Sequence, residues 1–464
     1  MPRLNLWVWF AANIIRHVAY NVSAMSVSFK VGAEAPLMPP LEVGDDGSLT
    51  IGGVEVGELA ERYGTPLYVT DEGRLRMNYR RLSAAFERWY PKFRINYAIK
   101  ANSNLSIISI LRQEGAGADC SNMEEITLAK MAGVPSSRII YTGNYNSEEE
   151  LRGAIEAGVT VNLDDVDLLP RLLRHGTPEV LSFRVNPGVG AGSHPGLVVG
   201  GERSKFGVEE ARVLDAYRMA KEAGVRRFGL HMMTGSNVLD PEYFPAATSK
   251  LLEIGARVTR TLGVEFEFID IGGGFGVPYR PEDKPLDIER VAEAVCSTVN
   301  HHLEGGGLSG QPYLTVEPGR FLVADTTILI GKVHHVKHTS NQVFVGTDIG
   351  MNTLIRPMLY GAYHHIYVLG KNQAELTQTV NITGQICENT DMLAVNRRIP
   401  HVEAGDLVVV TTVGAYGFSM SSQYNNRPRP AEVLVKNGEA EIIRQRENVF
   451  DLIQKQHIPP RLLS

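Results

Sequence analysis

The chain has 464 residues, of which 43% are hydrophobic and 21% charged, and its formal net charge is −6. These values are typical of a globular protein of two domains, and they exclude the basic footprint that nucleic-acid binding requires. The three cysteines, Cys120, Cys296 and Cys387, are far apart, which argues against a disulfide framework or a paired-cysteine zinc site and favours a reducing cytoplasm.

The chain begins with a short apolar stretch, LNLWVWFAANII. This stretch is well below the ~20 residues that cross a bilayer, so we predict no membrane span. It fits either a signal peptide that ends near Ala24 or an extension that precedes a start at Met25 instead of Met1. We assign residues 1–34 to an extension because the rest of the chain has intracellular character.

Between residues 94 and 320, short apolar runs alternate with longer amphipathic segments. The strand-like runs are 94–100, 117–121, 138–143, 159–164, 180–187, 228–235, 266–274 and 313–320. A helical pattern, such as MEEITLAKMAG or SEEELRGAIEAG, follows each of the first seven. This alternation predicts an α/β fold, a (β/α)8 TIM-type barrel, which we assign to residues 65–320.

After Arg320 the pattern changes to short β-rich segments with turn signals such as Lys436-Asn437-Gly438. Such a pattern is typical of an antiparallel β domain. The segment LEVGDDGSLTIGG, near the start of the chain, resembles a hairpin. We therefore expect residues 35–64 and 321–464 to form one β-rich domain beside the barrel.

Polar residues follow the predicted strands at the end where barrel enzymes carry their chemistry. Lys100 ends the first strand, Asp119 the second, and Glu317-Pro318-Gly319-Arg320 the eighth. A lysine in this position either extends to solvent or forms a Schiff base in an enclosed site. The repeated polar strand ends favour the second interpretation.

The glycine-rich stretch GGGFG, residues 272–276, follows the seventh strand. It is either a tight turn or a loop whose N–H groups bind a phosphate. A buried Glu317 needs a cationic partner, either Arg320 or a pyridinium nitrogen. A lysine, a phosphate loop and a carboxylate on three strands of one barrel point to pyridoxal phosphate as the cofactor; no metal site is predicted.

Nine segments, in this order, resemble the fold-type III pyridoxal-phosphate-dependent decarboxylases: YAIKAN, GADCSNME, FRVNPG with SKFG, GLHMMTGSN, IDIGGGFG, EPGR, DIGMNTLIRPMLYGAYH, CENTD and GAYGFSMSSQYNNRPRPAE. The similarity covers residues 45–450, and the joint set is specific although each segment alone is weak. Within the family, the members that act on diaminopimelate are the most similar. The resemblance implies decarboxylation of meso-2,6-diaminopimelate to L-lysine and CO2.

Two other functions are compatible with membership of this family. A relative that acts on ornithine or arginine would leave Arg356 without a carboxylate to bind. A non-catalytic homologue that binds the cofactor would have no need to keep both Lys100 and Cys387, and both are present.

The resemblance implies roles for three overlapping sets of residues. The set that would bind the cofactor is Lys100, Asp119, Ser236, Gly273, Gly274, Glu317, Pro318, Gly319, Arg320 and Tyr416. The set that would bind the distal carboxylate and ammonium of the substrate is Arg320, Arg356, Tyr360, Glu388 and Tyr416. The catalytic pair would be Lys100, which forms the Schiff base, and Cys387, which would donate a proton from the neighbouring subunit of a homodimer with shared active sites.

The chain departs from the usual family pattern at three places. Met233 stands where the family typically has a second histidine, which stacks on the pyridine ring; a methionine can contact a ring through sulfur but cannot change charge. Asn146 replaces a common lysine, and Asn389-Thr390 replaces a Ser-Gly pair. These changes concern the rate and the shape of the distal pocket more than the class of reaction.

Overall fold

The computed structural model describes residues 37–44, 47–192, 199–201, 204–371 and 374–463. The extension assigned to residues 1–34, and with it the alternative starts at Met1 and Met25, lies outside these ranges. Among the described residues, no helix combines the length and the apolar character that crossing a bilayer would require.

The described chain begins in a small antiparallel sheet and then enters a larger one. The elements are β1 (Leu41–Val43), β2 (Leu49–Ile51), β3 (Val54–Glu55), α1 (Val56–Tyr63) and β4 (Leu67–Asp71). β4 belongs to the sheet of the C-terminal domain and not to the barrel. The chain therefore enters the barrel after Asp71, although the sequence pattern indicated residue 65.

Eight parallel strands form the barrel. The strands from this part of the chain are β5 (Phe93–Ala98), β6 (Gly117–Cys120), β7 (Ile139–Tyr141), β8 (Thr160–Leu163), β9 (Leu181–Asn186), β10 (Ala191–Gly192), β11 (Val208–Glu209), β12 (Phe228–Met232), β13 (Gly235–Ser236), β14 (Phe266–Asp270) and β15 (Tyr313–Val316). The barrel order is β9-β12-β14-β15-β5-β6-β7-β8, and β8 pairs with β9, which closes the sheet. This closure confirms the predicted (β/α)8 barrel.

Helices connect the barrel strands. They are α2 (Glu72–Glu87), α3 (Leu105–Glu114), α4 (Met123–Met131), α5 (Glu148–Ala157), α6 (Leu169–Leu173), α7 (Glu210–Glu222), α8 (Tyr243–Leu262), α9 (Ile288–Glu304) and α10 (Arg320–Val323). Asn104, Asn122 and Ser147 cap helix starts by accepting backbone N–H groups, and Gly115 and Gly158 end helices in the left-handed conformation. Such caps define short connections between strand ends and helices.

The C-terminal part forms a mixed sheet. Its elements are β16 (Thr327–His338), β17 (Val343–Thr347), α11 (Arg356–Tyr360), β18 (Ile366–Val368), β19 (Gln378–Thr383), β20 (Met392–Ile399), β21 (Leu407–Val410), β22 (Ala431–Lys436), β23 (Glu439–Arg444) and α12 (Val449–Ile453). The strand order is β20-β19-β17-β16-β4-β22-β23, and β21 pairs with β16 and β18. A β domain was predicted correctly, but the pairs β17–β19 and β4–β22 are parallel, so the sheet is not purely antiparallel.

One loop of this domain, residues 411–420, lies at the mouth of the barrel. The Tyr416 N–H donates to the Ala101 carbonyl at 2.8 Å, and the Asn102 side chain donates to the Gly414 carbonyl at 3.2 Å. Tyr416 has a φ of +56°, a conformation that is unusual for a bulky residue and is found mostly where surrounding structure imposes it. These contacts hold the Tyr416 ring beside the end of β5.

Candidate active site

Lys100 lies two residues beyond the end of β5, in a short 3-10 turn formed by Ile99–Ala101. Its Nζ donates to Asp119 Oδ2 at 2.5 Å, and 41% of its side chain is exposed to the cavity and solvent. Burial lowers the pKa of Lys100, but the negative charges of Asp119 and Glu317 oppose this, and the pKa is raised above its usual value. The amine is therefore protonated at neutral pH.

Asp119, at the end of β6, is 1% exposed. Burial and the nearby Glu317 raise the pKa of Asp119 to about 6, while the Lys100 ammonium opposes this rise. Its second oxygen, Oδ1, has no hydrogen-bond partner among the described residues. Asp119 is thus a carboxylate that takes up a proton only slightly below neutral pH, in contact with Lys100.

The loop after β15, the strand that pairs with β5 in the barrel, contacts the end of β5 and the turn that carries Lys100. The Ala98 N–H donates to the Pro318 carbonyl at 3.2 Å. A Cβ atom on Gly319 would lie 2.9 Å from the Ala101 Cβ, so only glycine allows this approach. The contact brings Glu317 to the same cavity as Lys100.

Glu317 is buried together with His231 and Asp270. His231 Nε2 lies 3.1 Å from Glu317 Oε2, and Asp270 Oδ1 accepts the Gly272 N–H at 2.8 Å. Burial raises the pKa of Glu317, but His231, Lys100 and Arg184 lower it by more than burial raises it. The pKa is therefore below its usual value, and Glu317 is ionised. Burial and the neighbouring Glu317 raise the pKa of Asp270 well above its usual range, so this carboxyl holds a proton.

The residues of this cluster fit a pyridinium nitrogen. Glu317 Oε1 is buried without a hydrogen-bond partner among the described residues, and Glu317 lines the cavity. An anionic, unsatisfied carboxylate oxygen is the partner that a protonated ring nitrogen needs. One ligand atom from each of His231, Asp270 and Glu317 lies within 4.8 Å of the others, a spacing that also suits a metal ion.

The glycine-rich loop after β14 is shaped for close backbone approach. Gly272 and Gly274 have φ values of +72° and +91°, which favour glycine. A Cβ atom on Gly273 would lie 2.3 Å from the Glu317 carbonyl oxygen, and one on Gly274 would lie 2.7 Å from the Gly235 carbonyl oxygen. Gly274 and Ser236 line the cavity, so this loop fits a phosphate group.

Met233, which replaces the family's second histidine, also lines the cavity. Its Sδ accepts the Gly273 N–H at 3.1 Å. The sulfur therefore takes up one of the loop's N–H groups as well as facing the space for the cofactor ring.

The cavity, together with the open space at its entrance, has a volume of about 370 Å³. It is formed by the ends of four barrel strands and by the 411–420 loop, and seven of the ten residues that the sequence assigned to the cofactor line it. The lining residues are Ala98, Lys100, Met233, Gly235, Ser236, Asn237, Gly274, Phe275, Glu317, Gly319, Arg320 and Tyr416. Asp119, Gly273 and Pro318, the other three residues of the predicted cofactor set, are not among the lining residues.

Two arginines lie buried beside this cavity around one phenol. Arg320 is 6% exposed and Arg356 4%. The Tyr279 hydroxyl accepts a hydrogen bond from Arg320, and the Arg356 guanidinium carbon lies 4.8 Å from the Tyr279 ring centroid. Neither arginine forms an ion pair with any acidic residue in the described ranges. Burial raises the pKa of Tyr279, but the two guanidinium charges outweigh burial and lower it.

Tyr360 joins this group, whereas Cys387 and Glu388 do not. Arg356 and Tyr360 are four residues apart on α11 and share one helix face, and Tyr360 is close enough to Arg320 to influence its pKa. Cys387 and Glu388 are exposed on the connection between β19 and β20, and they do not line the cavity of their own chain. The Cys387 N–H donates to Asn425 Oδ1 at 2.7 Å.

Four residues of the site had no role in the sequence analysis: His231, Asp270, Tyr279 and His364. Tyr279 follows the glycine-rich loop by only a few residues, and His364 ends the segment YGAYH, so each adjoined a quoted motif. Their positions beside Glu317 or Arg356 depend on which strand ends meet, and no local pattern reports that.

The chain matches a family model and many known proteins. Residues 75–324 match the family model described as pyridoxal-dependent decarboxylase, pyridoxal binding domain. Diaminopimelate decarboxylase of Methanothermobacter thermautotrophicus is 47% identical over 430 residues, which are 92% of this chain and 100% of that protein. A crystal structure of diaminopimelate decarboxylase from M. jannaschii in co-complex with L-lysine is 36% identical, with a TM-score of 0.83, and covers 91% of this chain and 98% of that chain.

A more distant structure shares the fold. Lysine/ornithine decarboxylase from Vibrio vulnificus, complexed with putrescine, is 22% identical with a TM-score of 0.71, over 82% of this chain and 97% of that chain. At this identity the likeness concerns the architecture alone.

Proposed function

Because the chain belongs to the family of pyridoxal-dependent decarboxylases, we propose that it converts meso-2,6-diaminopimelate to L-lysine and CO2 with pyridoxal 5'-phosphate as its cofactor. The alternative substrates, ornithine and arginine, have only the carboxylate that is lost as CO2 and none at their distal end. Diaminopimelate and lysine both carry one.

The buried pair Arg320 and Arg356 is the observation that carries this assignment. Two guanidinium groups at 6% and 4% exposure are costly unless an anion compensates them. The described chain supplies Tyr279 between them but no carboxylate. A distal carboxylate of the substrate satisfies both arginines, and a simple diamine-forming substrate would leave them uncompensated.

The cofactor, when bound, supplies the electron sink into which the bond to the departing carboxylate breaks. Lys100 would hold it covalently, Glu317 would face its ring nitrogen, and Gly274 with Ser236 would hold its phosphate. Glu317 is kept ionised by His231, Lys100 and Arg184, which favours a protonated ring nitrogen. The protonated Asp270 adds no second negative charge at this position.

Lys100 and Asp119 form the proton-handling pair of the cavity. The amine must lose a proton before it can attack a carbonyl carbon. Asp119 is ionised above about pH 6 and holds the ammonium form of Lys100 through their 2.5 Å contact, so it sets the pH at which the amine becomes available. Tyr416, held beside the end of β5 by its N–H bond to Ala101, lines the same cavity as Lys100.

The proposal extends to a homodimer with shared sites, in which the partner subunit's Glu388 binds the distal ammonium and the partner subunit's Cys387 donates a proton to the carbon that has lost CO2. The exposure of both residues away from their own cavity supports this arrangement. Tyr424, next to the Asn425 that holds the Cys387 backbone, is 45% exposed, as an interface residue would be in one isolated chain. The three free cysteines support a cytoplasmic location.

Product analysis tests the function. Purified protein with added cofactor is incubated separately with meso-diaminopimelate, ornithine and arginine, and the products are identified by chromatography and mass spectrometry. We expect lysine from diaminopimelate and at most traces of diamines from the other two, with the Lys100→Ala variant as the inactive control. Diamine formation as the main activity would replace this function with the ornithine- or arginine-type alternative.

A further inference from the structure

His364 is a buried histidine in contact with the Arg356 guanidinium, and it is not among the residues that line the cavity. It is 1% exposed. Its Nε2 lies 2.9 Å from Arg356 Nη1, and its Nδ1 lies 3.0 Å from the Thr411 carbonyl oxygen. Its ring also meets the Tyr279 ring edge to face, with centroids 5.2 Å apart. Packing on several sides therefore fixes the ring.

These contacts define which nitrogen carries the proton. A carbonyl oxygen can only accept, so Nδ1 must donate to Thr411. A guanidinium can only donate, so Nε2 must offer its lone pair to Arg356. The imidazole is consequently neutral. Burial and the positive charges of Arg356, Arg320 and Arg397 lower the pKa of His364 well below its usual value, while the bond to Thr411 opposes them.

A neutral acceptor such as His364 leaves the positive charge of Arg356 uncompensated, whereas a carboxylate would neutralise it. Buried Arg184, by contrast, faces the carboxylate of Asp164 at 3.7 Å, and such a pair compensates the guanidinium internally. A carboxylate in the position of His364 would do the same to Arg356 and would compete with the carboxylate of a ligand. An imidazole orients the guanidinium and leaves its charge available.

We propose that His364 is a positioning residue that determines specificity for substrates with a distal carboxylate, by orienting Arg356 through an uncharged acceptor. The inference rests on the proposed function, because it assigns Arg356 to the distal carboxylate of diaminopimelate. His364 itself touches neither substrate nor cofactor; it acts through Arg356.

The test uses two ligands that differ only in that carboxylate, L-lysine and 1,5-diaminopentane. Their inhibition constants are measured with the holoenzyme for wild type and for three variants: His364→Leu without an acceptor, His364→Glu with an anionic acceptor, and His364→Gln, whose amide oxygen can reach the position of Nε2. The neighbouring His365, which contacts Tyr363 and not Arg356, provides the matched control His365→Leu.

We expect His364→Leu to weaken L-lysine binding on the order of tenfold, the size of one lost hydrogen bond to a charged group, and His364→Glu to weaken it at least as much. Both variants should bind 1,5-diaminopentane as wild type does. For diaminopimelate, KM should rise more than kcat falls. His364→Gln should restore most of the lysine affinity, and His365→Leu should match wild type.

Two outcomes would overturn the inference while the proposed function stands. One is an equal loss for both ligands, which means that His364 only supports the local structure. The other is a His364→Glu variant that binds L-lysine as well as wild type, since a neutral acceptor would then be unnecessary. If His364→Leu does not fold, the L-lysine inhibition constants of His364→Gln and His364→Glu are compared instead, and equal constants would overturn the inference. A wild type that neither prefers L-lysine to 1,5-diaminopentane nor converts diaminopimelate would instead refute the proposed function.

Discussion

The 2.5 Å contact between Lys100 and Asp119 controls when the amine is available for cofactor attachment. Ionised Asp119 raises the pKa of Lys100, so Asp119→Asn should lower it and enlarge the neutral fraction of the amine. We therefore expect the pH profile for the rate of covalent attachment to move to lower pH in Asp119→Asn. Because Asp119 takes up its own proton at about pH 6, the wild-type and variant profiles should differ above that pH and converge below it.

The rate is measured by stopped-flow absorbance after apoprotein is mixed with pyridoxal phosphate in buffers between pH 5 and 9. Lys100→Ala serves as the control and should yield no cofactor adduct after borohydride reduction, as judged by mass spectrometry. Parallel profiles without convergence would show that Asp119 acts other than through its charge.

Arg356 offers a second prediction at this scale. Arg356→Leu removes a desolvated cation that binds the distal carboxylate, so kcat/KM for diaminopimelate should fall by at least about thirtyfold, ~2 kcal/mol or more. Arg152→Leu on α5, where 55% of the arginine side chain is exposed, is the matched control and should keep wild-type turnover. Steady-state kinetics check both, and an unchanged kcat/KM for Arg356→Leu would remove its assigned role.

Met233 gives a third prediction for a single residue. An imidazole nitrogen can accept the Gly273 N–H as the Met233 sulfur does, so Met233→His should retain the cofactor. Met233→Leu provides no acceptor and should weaken cofactor binding, since a part-buried N–H is then unpaired. Equilibrium titration of apoprotein with pyridoxal phosphate separates the two variants. Loss of the cofactor in Met233→His would mean that the pocket is shaped specifically around methionine.

Among single residues, the charged groups at the strand ends could be identified from the sequence. The buried histidines that contact them could not. Lys100, Glu317 and Arg320 are polar residues at the ends of apolar runs, and their types limit the chemistry. His231 and His364 are histidines within apolar segments, where a core position is the usual explanation. Their contacts with Glu317 and Arg356 arise from pairing between distant segments.

At the scale of elements, the barrel strands were predictable because both of their faces are buried, which gives nearly continuous apolar runs. The predicted runs 228–235 and 266–274 extend past β12 and β14, since their last residues form the loops of the cavity instead. The segment LYVTD, which forms β4, was included in the barrel because its sequence does not indicate with which strands it pairs. Those partners, β16 and β22, lie far along the chain.

The glycine-rich loop yields a prediction at this scale. In Gly273→Ala the new methyl group would meet the Glu317 carbonyl oxygen at 2.3 Å, so the loop and the β15 end must move apart. We expect a loss of stability of about 1–3 kcal/mol, as for other overpacked sites, together with weaker cofactor binding. Thermal unfolding and cofactor titration measure the two effects.

Gly346→Ala is the control for that variant. Its nearest neighbour would lie at 3.5 Å, an ordinary contact, and β17 is part of the other domain. Cofactor affinity should be unaffected there. If Gly273→Ala behaved like Gly346→Ala, the loop would be less constrained than its contacts indicate.

For the whole molecule, the proposed sharing of sites predicts complementation. Lys100→Ala and Cys387→Ala are each expected to be inactive, but a mixed dimer has one site with both defects and one with neither. Because random exchange makes half of the dimers mixed, roughly a quarter of wild-type activity should return under two-fold symmetry. Native mass spectrometry must first show that the subunits have exchanged. Mixed dimers that stay inactive would mean that Cys387 acts within its own chain or not at all.

The position of β4 has a consequence for how the chain folds. Its Thr70 side chain contacts Thr327 of β16 across 257 residues of sequence, and the intervening chain is the barrel. The barrel is thus an insertion within the β domain, and ordering it first brings the two ends of that insertion together and removes most of the loop-closure entropy from pairing β4 with β16. During synthesis β4 emerges early and must wait as an unpaired strand, exposed to mispairing, until β16 and β22 follow. Pulsed hydrogen exchange during refolding should accordingly detect protection in β5–β9 before protection in β4 and β16.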